Sequence, residues 1–132
     1  LPTADSVVAL DADTGREVWR YRFTAGAPSR RGVSYWEGTA TIGPRIFVSS
    51  GTRLLAIDAG SGSLARTFGT DGAIDLGVPY NSVPLVYRNV VVVGANTPQG
   101  AVGGIGNPRA YDTRTGGKVW EFNAVAQPGE PG

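Results

Sequence analysis

No cysteine, histidine or methionine occurs in these 132 residues. Without cysteine there is no disulfide, no thiolate nucleophile and no Cys-ligated metal. Without histidine, neither a His-based triad nor a Cys/His zinc site can be assembled from this chain. No apolar run approaches the roughly 18 residues that a membrane-spanning helix needs. An excess of one charge is lacking too: 12 Lys+Arg against 11 Asp+Glu leave a formal net charge of +1. That balance implies no field-driven attraction to nucleic acid or to a membrane surface. Helical periodicity appears nowhere with persistence. Glycine, by contrast, is abundant, with 20 residues beside nine prolines, so turns are frequent and short strands suit the composition better than long helices. Opening on Leu1 and closing on Gln127-Pro-Gly-Glu-Pro-Gly132, the chain reads as an internal fragment of a longer polypeptide.

One pattern organises the rest. Ala9 to Trp19 reads Ala-Leu-Asp-Ala-Asp-Thr-Gly-Arg-Glu-Val-Trp, and Ala110 to Trp120 reads Ala-Tyr-Asp-Thr-Arg-Thr-Gly-Gly-Lys-Val-Trp. An eroded copy from Ala56 to Arg66 keeps Ala56, Asp58, Ser61 and Gly62 but has Arg66 in place of tryptophan. The shared form is Ala-x-Asp-x-x-Thr/Ser-Gly-x-x-x-Trp, and its aspartates, Asp11, Asp58 and Asp112, are 47 and 54 residues apart. Units of roughly 40 to 50 residues repeated along a chain mark a propeller or solenoid. Each motif is a turn with a mechanism. The aspartate and threonine can bond the turn's own backbone N–H groups, and the glycine accepts a positive φ. The ring that ends the first and last copies fills the gap between stacked sheets and buries on the order of 200 Å².

In chain order, Val7 to Leu10 and Glu17 to Phe23 form a hairpin around the first motif, with Trp19, Tyr21 and Phe23 on one face and Val18, Arg20 and Arg22 on the other. The pattern breaks at Ala25-Gly-Ala-Pro-Ser29 and at Arg30-Arg-Gly-Val-Ser-Tyr-Trp36, where two guanidinium groups and two aromatics fall within seven residues. Regular strands resume at Arg45 to Ser50, Arg53 to Asp58 and Ser63 to Phe68, with Phe68 available for the packing task that Arg66 cannot perform. Gly69-Thr-Asp-Gly72 is a turn, followed by a strand at Ala73 to Leu76. Val83 to Tyr87 and Val90 to Val93 make a hairpin around Arg88-Asn89. The run Val90-Val-Val-Val93 reads as a strand buried on both faces, innermost in a stack of sheets. A glycine-rich segment, 95–107, precedes the last motif.

These residues together resemble the quinoprotein dehydrogenases, eight-bladed β-propellers that bind pyrroloquinoline quinone (PQQ) on the propeller axis. The repeated turn is similar to their tryptophan-docking motif. Arg31-Gly-Val-Ser-Tyr-Trp36 resembles the segment that follows their cofactor-contacting loop. Phe68-Gly-Thr-Asp-Gly-Ala-Ile-Asp-Leu76, Arg109-Ala-Tyr-Asp112, Trp120-Glu-Phe122 and Gln127-Pro-Gly-Glu130 resemble the glucose and sugar dehydrogenase branch. The fold expected is therefore all-β, a partial eight-bladed propeller of about two and a half blades of four-stranded antiparallel sheets. Its expected parts are the end of one blade (1–24), a cofactor-side loop (25–38), a second blade (39–77), a third (78–124) and the start of another (125–132).

The resemblance implies a PQQ-dependent dehydrogenase that oxidises a sugar or alcohol hydroxyl, with a quinone or cytochrome accepting the electrons, in the bacterial periplasm. PQQ is a flat orthoquinone with three carboxylates, so its site needs cations, stacking surfaces and a divalent ion. Arg31 matches the family arginine that reaches the quinone, and its fixed fork suits that task. Arg30 is its neighbour and the weaker candidate. Asn81 and Ser82 stand where the family places groups that bond PQQ oxygens, Ser82 favoured by chemistry and Asn81 by register. Asn96 and Thr97 follow a strand at the level of axis-facing loops, and Tyr35 and Trp36 read as core or tunnel-wall aromatics. Two departures matter. The vicinal cysteine pair of many alcohol-oxidising relatives is absent from 25–29, and no Asp or Glu occurs from Leu76 to Tyr111. A calcium or magnesium ion held here would depend on Asn96, Gln99 or Asn107 through neutral oxygens. Otherwise its ligands, like the catalytic aspartate, are expected outside these residues; Asp71 and Asp75 are turn residues. A scaffold propeller without cofactor, sharing only the docking motif, is the alternative.

Overall fold

Three antiparallel sheets account for the strands of the computed structural model, which describes residues 1–23, 26–29, 32–77, 83–94 and 108–121. The first sheet pairs β1 (Ser6–Leu10) with β2 (Glu17–Arg22). The second runs β3 (Ser34–Trp36), β4 (Arg45–Ser50), β5 (Arg53–Asp58) and β6 (Ala73–Asp75) as a meander. The third repeats that order with β7 (Leu85–Tyr87), β8 (Val90–Val93), β9 (Arg109–Asp112) and β10 (Lys118–Glu121). Among the described residues no helix is long and apolar enough to cross a membrane. The all-β expectation holds, and the sheets stack as consecutive blades.

Two apolar layers join the three sheets. Val7, Phe23, Val48, Leu55 and Ile57, with Trp19 and Tyr21 packed against them, fill the space between the first and second sheets. Trp36, Phe47, Leu54, Ala56, Phe68, Leu76, Val91, Val93 and Tyr111 fill the space between the second and third. Strand alternation makes this possible. On β5, Leu54 and Ala56 face one layer while Leu55 and Ile57 face the other, all four fully buried. Such a strand, covered on both faces, reads as a continuous apolar run for that reason.

All three motif turns fold alike. Asp11 Oδ1 accepts the N–H groups of Asp13 and Thr14, as Asp58 Oδ1 accepts those of Gly60 and Ser61. Each glycine N–H then returns to the aspartate carbonyl, at 2.8 Å for Gly15, 2.9 Å for Gly62 and 2.8 Å for Gly116. At Asp11 and Asp112 the donors favour the charged form of the carboxylate. The Thr14 and Asp13 backbone keeps Asp11 below its ordinary 3.8, and the Arg114 side chain does the same for Asp112. A folded-state value below the unfolded one contributes stability that is present above about pH 4 and is lost as pH falls through the depressed value. Urea midpoints followed from pH 7 to pH 2 should therefore drop at the acid end. The Asp11→Asn, Asp112→Asn double variant should be less stable at pH 7 and show a flatter acid slope; an unchanged slope would remove these turns as the cause.

Three sequence expectations change. Residues 63–68 do not form a strand; Leu64 makes one isolated bridge to Ile57, and the chain turns with the Phe68 N–H on the Ala65 carbonyl. The outer strand of the second sheet is β6 instead, because Gly72 and Ala73 to Asp75 take up the free edge of β5. Phe68 does fill the gap between the second and third sheets, fully buried and edge-on against Phe47 at 5.3 Å. The space over Gly116 is taken by the backbone of Gly69 and by Ile74. Val90–Val93 is second in its sheet, not innermost; Val91 and Val93 are buried while Val90 and Val92 are half-buried. Ser34–Trp36, read at the sequence level within the 25–38 loop, is the innermost strand of the second sheet.

Candidate functional site

Arg30, Arg31, Asn81, Ser82, Asn96 and Thr97 lie outside the described residues. What the structure describes is the frame from which those segments depart. In both meanders the first strand starts, the second ends, the third starts and the fourth ends at one edge of the sheet. Residues 30–31 precede β3, 81–82 precede β7, and 95–107 lie between β8 and β9, so all join the frame at that same edge.

The roots of the first two segments meet. Gly32 has φ +142°, and a Cβ there would come within 3.2 Å of Val83 Cγ2. One step further on, the Ser34 hydroxyl donates to the Pro84 carbonyl. Positions 32 and 83, each directly after a candidate residue, are therefore neighbours in space. A side chain at Gly32 would press on Val83, and the φ of +142° is a backbone conformation that glycine adopts readily.

Nearby backbone is held firmly. The Ser29 N–H donates to the Ser49 carbonyl and the Ser50 hydroxyl to the Ala27 carbonyl, both at 2.7 Å, which ties 26–29 to the end of β4. Leu76, just beyond β6, donates its N–H to Thr52 and accepts Arg109 Nη1 at 2.5 Å. Arg109 Nε lies 3.0 Å from Glu121 Oε1. Arg109 thus joins β9 and β10 to the stem of the segment that carries Asn81 and Ser82.

The aromatic pair separates by role. Trp36 is buried and donates Nε1 to Asn89 Oδ1 at 3.2 Å, at the sheet edge opposite the candidate residues. Tyr35 points the other way and is exposed. Beneath Trp36, Arg45 is buried, its guanidinium carbon 5.7 Å from the ring centroid. Sequence reasoning passed over Arg45, although a signal existed: a charged residue heads the buried strand Arg45-Ile-Phe-Val-Ser-Ser50. Arg109 stood within a quoted segment but was given no task.

In the sequence, guanidinium, amide and hydroxyl side chains stand directly before Gly32 and Val83, and groups of that kind suit an anionic, oxygen-rich ligand. For a metal ion the described residues offer nothing comparable. Among them no group of three or more His, Cys, Asp or Glu side chains is placed to hold one.

Residues 2–132 match the family model described as "PQQ: Glucose/ethanol/alcohol dehydrogenase, beta-propeller domain". The chain is 36% identical over 135 residues to the quinohemoprotein alcohol dehydrogenase ADH-IIG of Pseudomonas putida, covering 95% of this chain and 17% of that protein. It is 29% identical to the quinate/shikimate dehydrogenase (quinone) of Acinetobacter baylyi, covering 96% of this chain and 21% of that protein. The crystal structure of quinohemoprotein alcohol dehydrogenase from Comamonas testosteroni superposes with a TM-score of 0.70 at 24% identity, over 96% of this chain and 19% of that one. The chain thus spans about a fifth of the length of the curated relatives it matches.

Proposed function

The chain belongs to the PQQ-dependent glucose, ethanol and alcohol dehydrogenase family as part of its β-propeller domain, and from that premise we propose that the whole protein oxidises the hydroxyl of a small alcohol to a carbonyl. When bound, PQQ supplies the orthoquinone that takes up the two electrons and two protons the alcohol loses. The chain's own part is to bind and orient that group. Arg31 provides a fixed, permanently charged fork for a carboxylate or quinone oxygen, Asn81 and Ser82 add neutral hydrogen bonds, and Arg30, Asn96 and Thr97 are outer contributors. The observation that carries this reading is the Gly32–Val83 contact, which makes the residues after Arg31 and Ser82 neighbours.

A small alcohol is preferred over a sugar because the matched relatives are named for alcohols and for quinate or shikimate. The wider hydroxyl class, including glucose, stays within the test. A calcium or magnesium ion would draw its ligands from other parts of the protein, and the electrons would leave to a haem or quinone acceptor.

The test is to reconstitute the whole protein with PQQ and calcium, then measure dye reduction with short alcohols and with glucose. Turnover with alcohols is expected; no turnover, together with no quinone absorbance after gel filtration, would overturn the proposal. A second measurement needs no activity. Arg31→Ala should weaken PQQ retention roughly ten- to a hundredfold, since a charge-assisted hydrogen bond contributes about 1.5–3 kcal/mol. Arg30→Ala should do much less, and equal effects would remove Arg31 from the site.

A further inference from the structure

Arg109 stands where two of the candidate segments are rooted. It opens β9 and pairs with Val93, the last residue of β8, so the chain on either side of 95–107 meets at this pair. Its side chain reaches to the second sheet. Nη1 donates to the Leu76 carbonyl at 2.5 Å, while Nε lies 3.0 Å from Glu121 Oε1 on β10. Leu76 is 2% exposed and its own N–H is held by the Thr52 carbonyl, which makes it a fixed point at the end of the second sheet. The sequence from there to Val83 holds Asn81 and Ser82. At Val83 the chain is fixed again, by the contact with Gly32 and by the Ser34 hydroxyl on the Pro84 carbonyl.

Resting on the reading that the protein binds PQQ, we propose that Arg109 is a positioning residue for the cofactor, acting through the Leu76 carbonyl on the stretch that bears Asn81 and Ser82. A stretch anchored at both ends samples fewer conformers than one anchored at a single end. Groups carried on it then lose less freedom when a ligand binds. The guanidinium suits this task, because its planar fork can donate to the carbonyl and face a carboxylate at the same time. The Arg109 side chain is 17% exposed, so its ion pair with Glu121 is screened less than a surface pair would be. Lys118 Nζ holds the same Glu121 oxygen at 3.1 Å, which fixes the carboxylate from a second direction. Arg45 also ties the second sheet to the third, but from the opposite edge, where it donates to Thr113 and Arg114. Arg109 differs from it in place: it lies at the edge from which the candidate segments depart.

The test uses the whole protein with calcium present and reads PQQ affinity directly, from quenching of tryptophan emission during titration and from quinone absorbance kept after gel filtration. Arg109→Met should weaken PQQ binding roughly ten- to a hundredfold, the range for groups that orient the direct ligands of a bound centre. Arg45→Met should unfold at lower urea yet leave PQQ affinity within about twofold, the limit expected for independent sites. In an Asn81→Ala, Ser82→Ala background, Arg109→Met should add no more than about twofold, since the groups it orients are gone. Wild-type protein that binds no PQQ overturns the proposed function and this inference with it. Wild-type binding with Arg109→Met unchanged, an equal loss in Arg45→Met, or a full Arg109→Met effect in the doubly substituted background overturns this inference alone. Should Arg109→Met lose its strand signal in circular dichroism, Arg109→Lys and Glu121→Gln decide. Each keeps side-chain length and should weaken binding roughly threefold, because one of the two contacts of the fork is lost; unchanged affinity in both overturns the proposal.

Discussion

Replacing Arg45 with methionine is expected to lower the unfolding free energy by about 4 kcal/mol, from the cost of leaving buried acceptors without donors. Arg45 is 4% exposed, yet among the described residues its guanidinium makes no ion pair with a carboxylate. Its Nη1 donates to the carbonyls of Thr113 and Arg114, and Nη2 to Thr67 Oγ1, each at 2.7 Å. Burial pushes the guanidinium below its ordinary value, while Asp58 and Asp112 oppose that shift, so a cation is retained in the interior by carbonyl dipoles and distant carboxylates. The carbonyls belong to the motif turn of the third sheet, whereas Arg45 and Thr67 belong to the second. One side chain thus fastens two blades through a turn that has no indole to receive. Methionine reproduces the length and apolar stem but none of the donors. Urea unfolding monitored by tryptophan fluorescence would measure the loss. Arg45→Lys should be intermediate, since one ammonium cannot reach all three acceptors in the guanidinium's fixed geometry. A loss below about 1 kcal/mol for Arg45→Met would mean that the turn satisfies its carbonyls in another way.

Arg45 also marks where sequence reasoning stopped. The repeat gave the architecture because each motif turn is local. Asp11, Asp58 and Asp112 cap residues only two or three positions ahead, and spacing alone reports such bonds. Alternation along residues 17–23 was legible for the same reason, since period two follows from the strand itself. The contact of Gly32 with Val83 and the reach of Arg45 to Thr113 join residues far apart in the chain. No local pattern encodes them. The misplaced strand at 63–68 shows competition between local and tertiary terms. Its apolar residues suit a strand, but Phe68 gains more in the layer with Phe47, and β5 is paired by residues 73–75 instead. Candidate residues for the cofactor were chosen by chemistry and by departure from the repeat. The structure adds that the residues following two of them, Arg31 and Ser82, are neighbours.

Gly62→Ala should cost about 3 kcal/mol, against about 1 kcal/mol for Gly15→Ala, and the difference isolates the docked indole. The two positions share a turn, a hydrogen bond and a left-handed backbone, with φ +77° and +71°. An alanine at either place pays the same steric penalty for positive φ. Only at Gly62 does the new methyl meet an obstacle, since Trp19 Cδ2, Cε3 and Cγ all lie within 2.8 Å of the Cβ position. A ring cannot yield as a flexible chain end can. The indole must move away from the turn, which lengthens its 2.8 Å bond to the Ala59 carbonyl and uncovers part of the layer formed with Leu55 and Ile57. Measured by denaturant unfolding, Gly62→Ala should therefore be the weaker fold by about 2 kcal/mol. Its tryptophan emission should move to the red as the Trp19 ring becomes wet. Equal losses at the two glycines would show that the turn conformation, rather than the docked ring, sets the cost, and that the first and second sheets are joined chiefly by Val7, Phe23 and Val48.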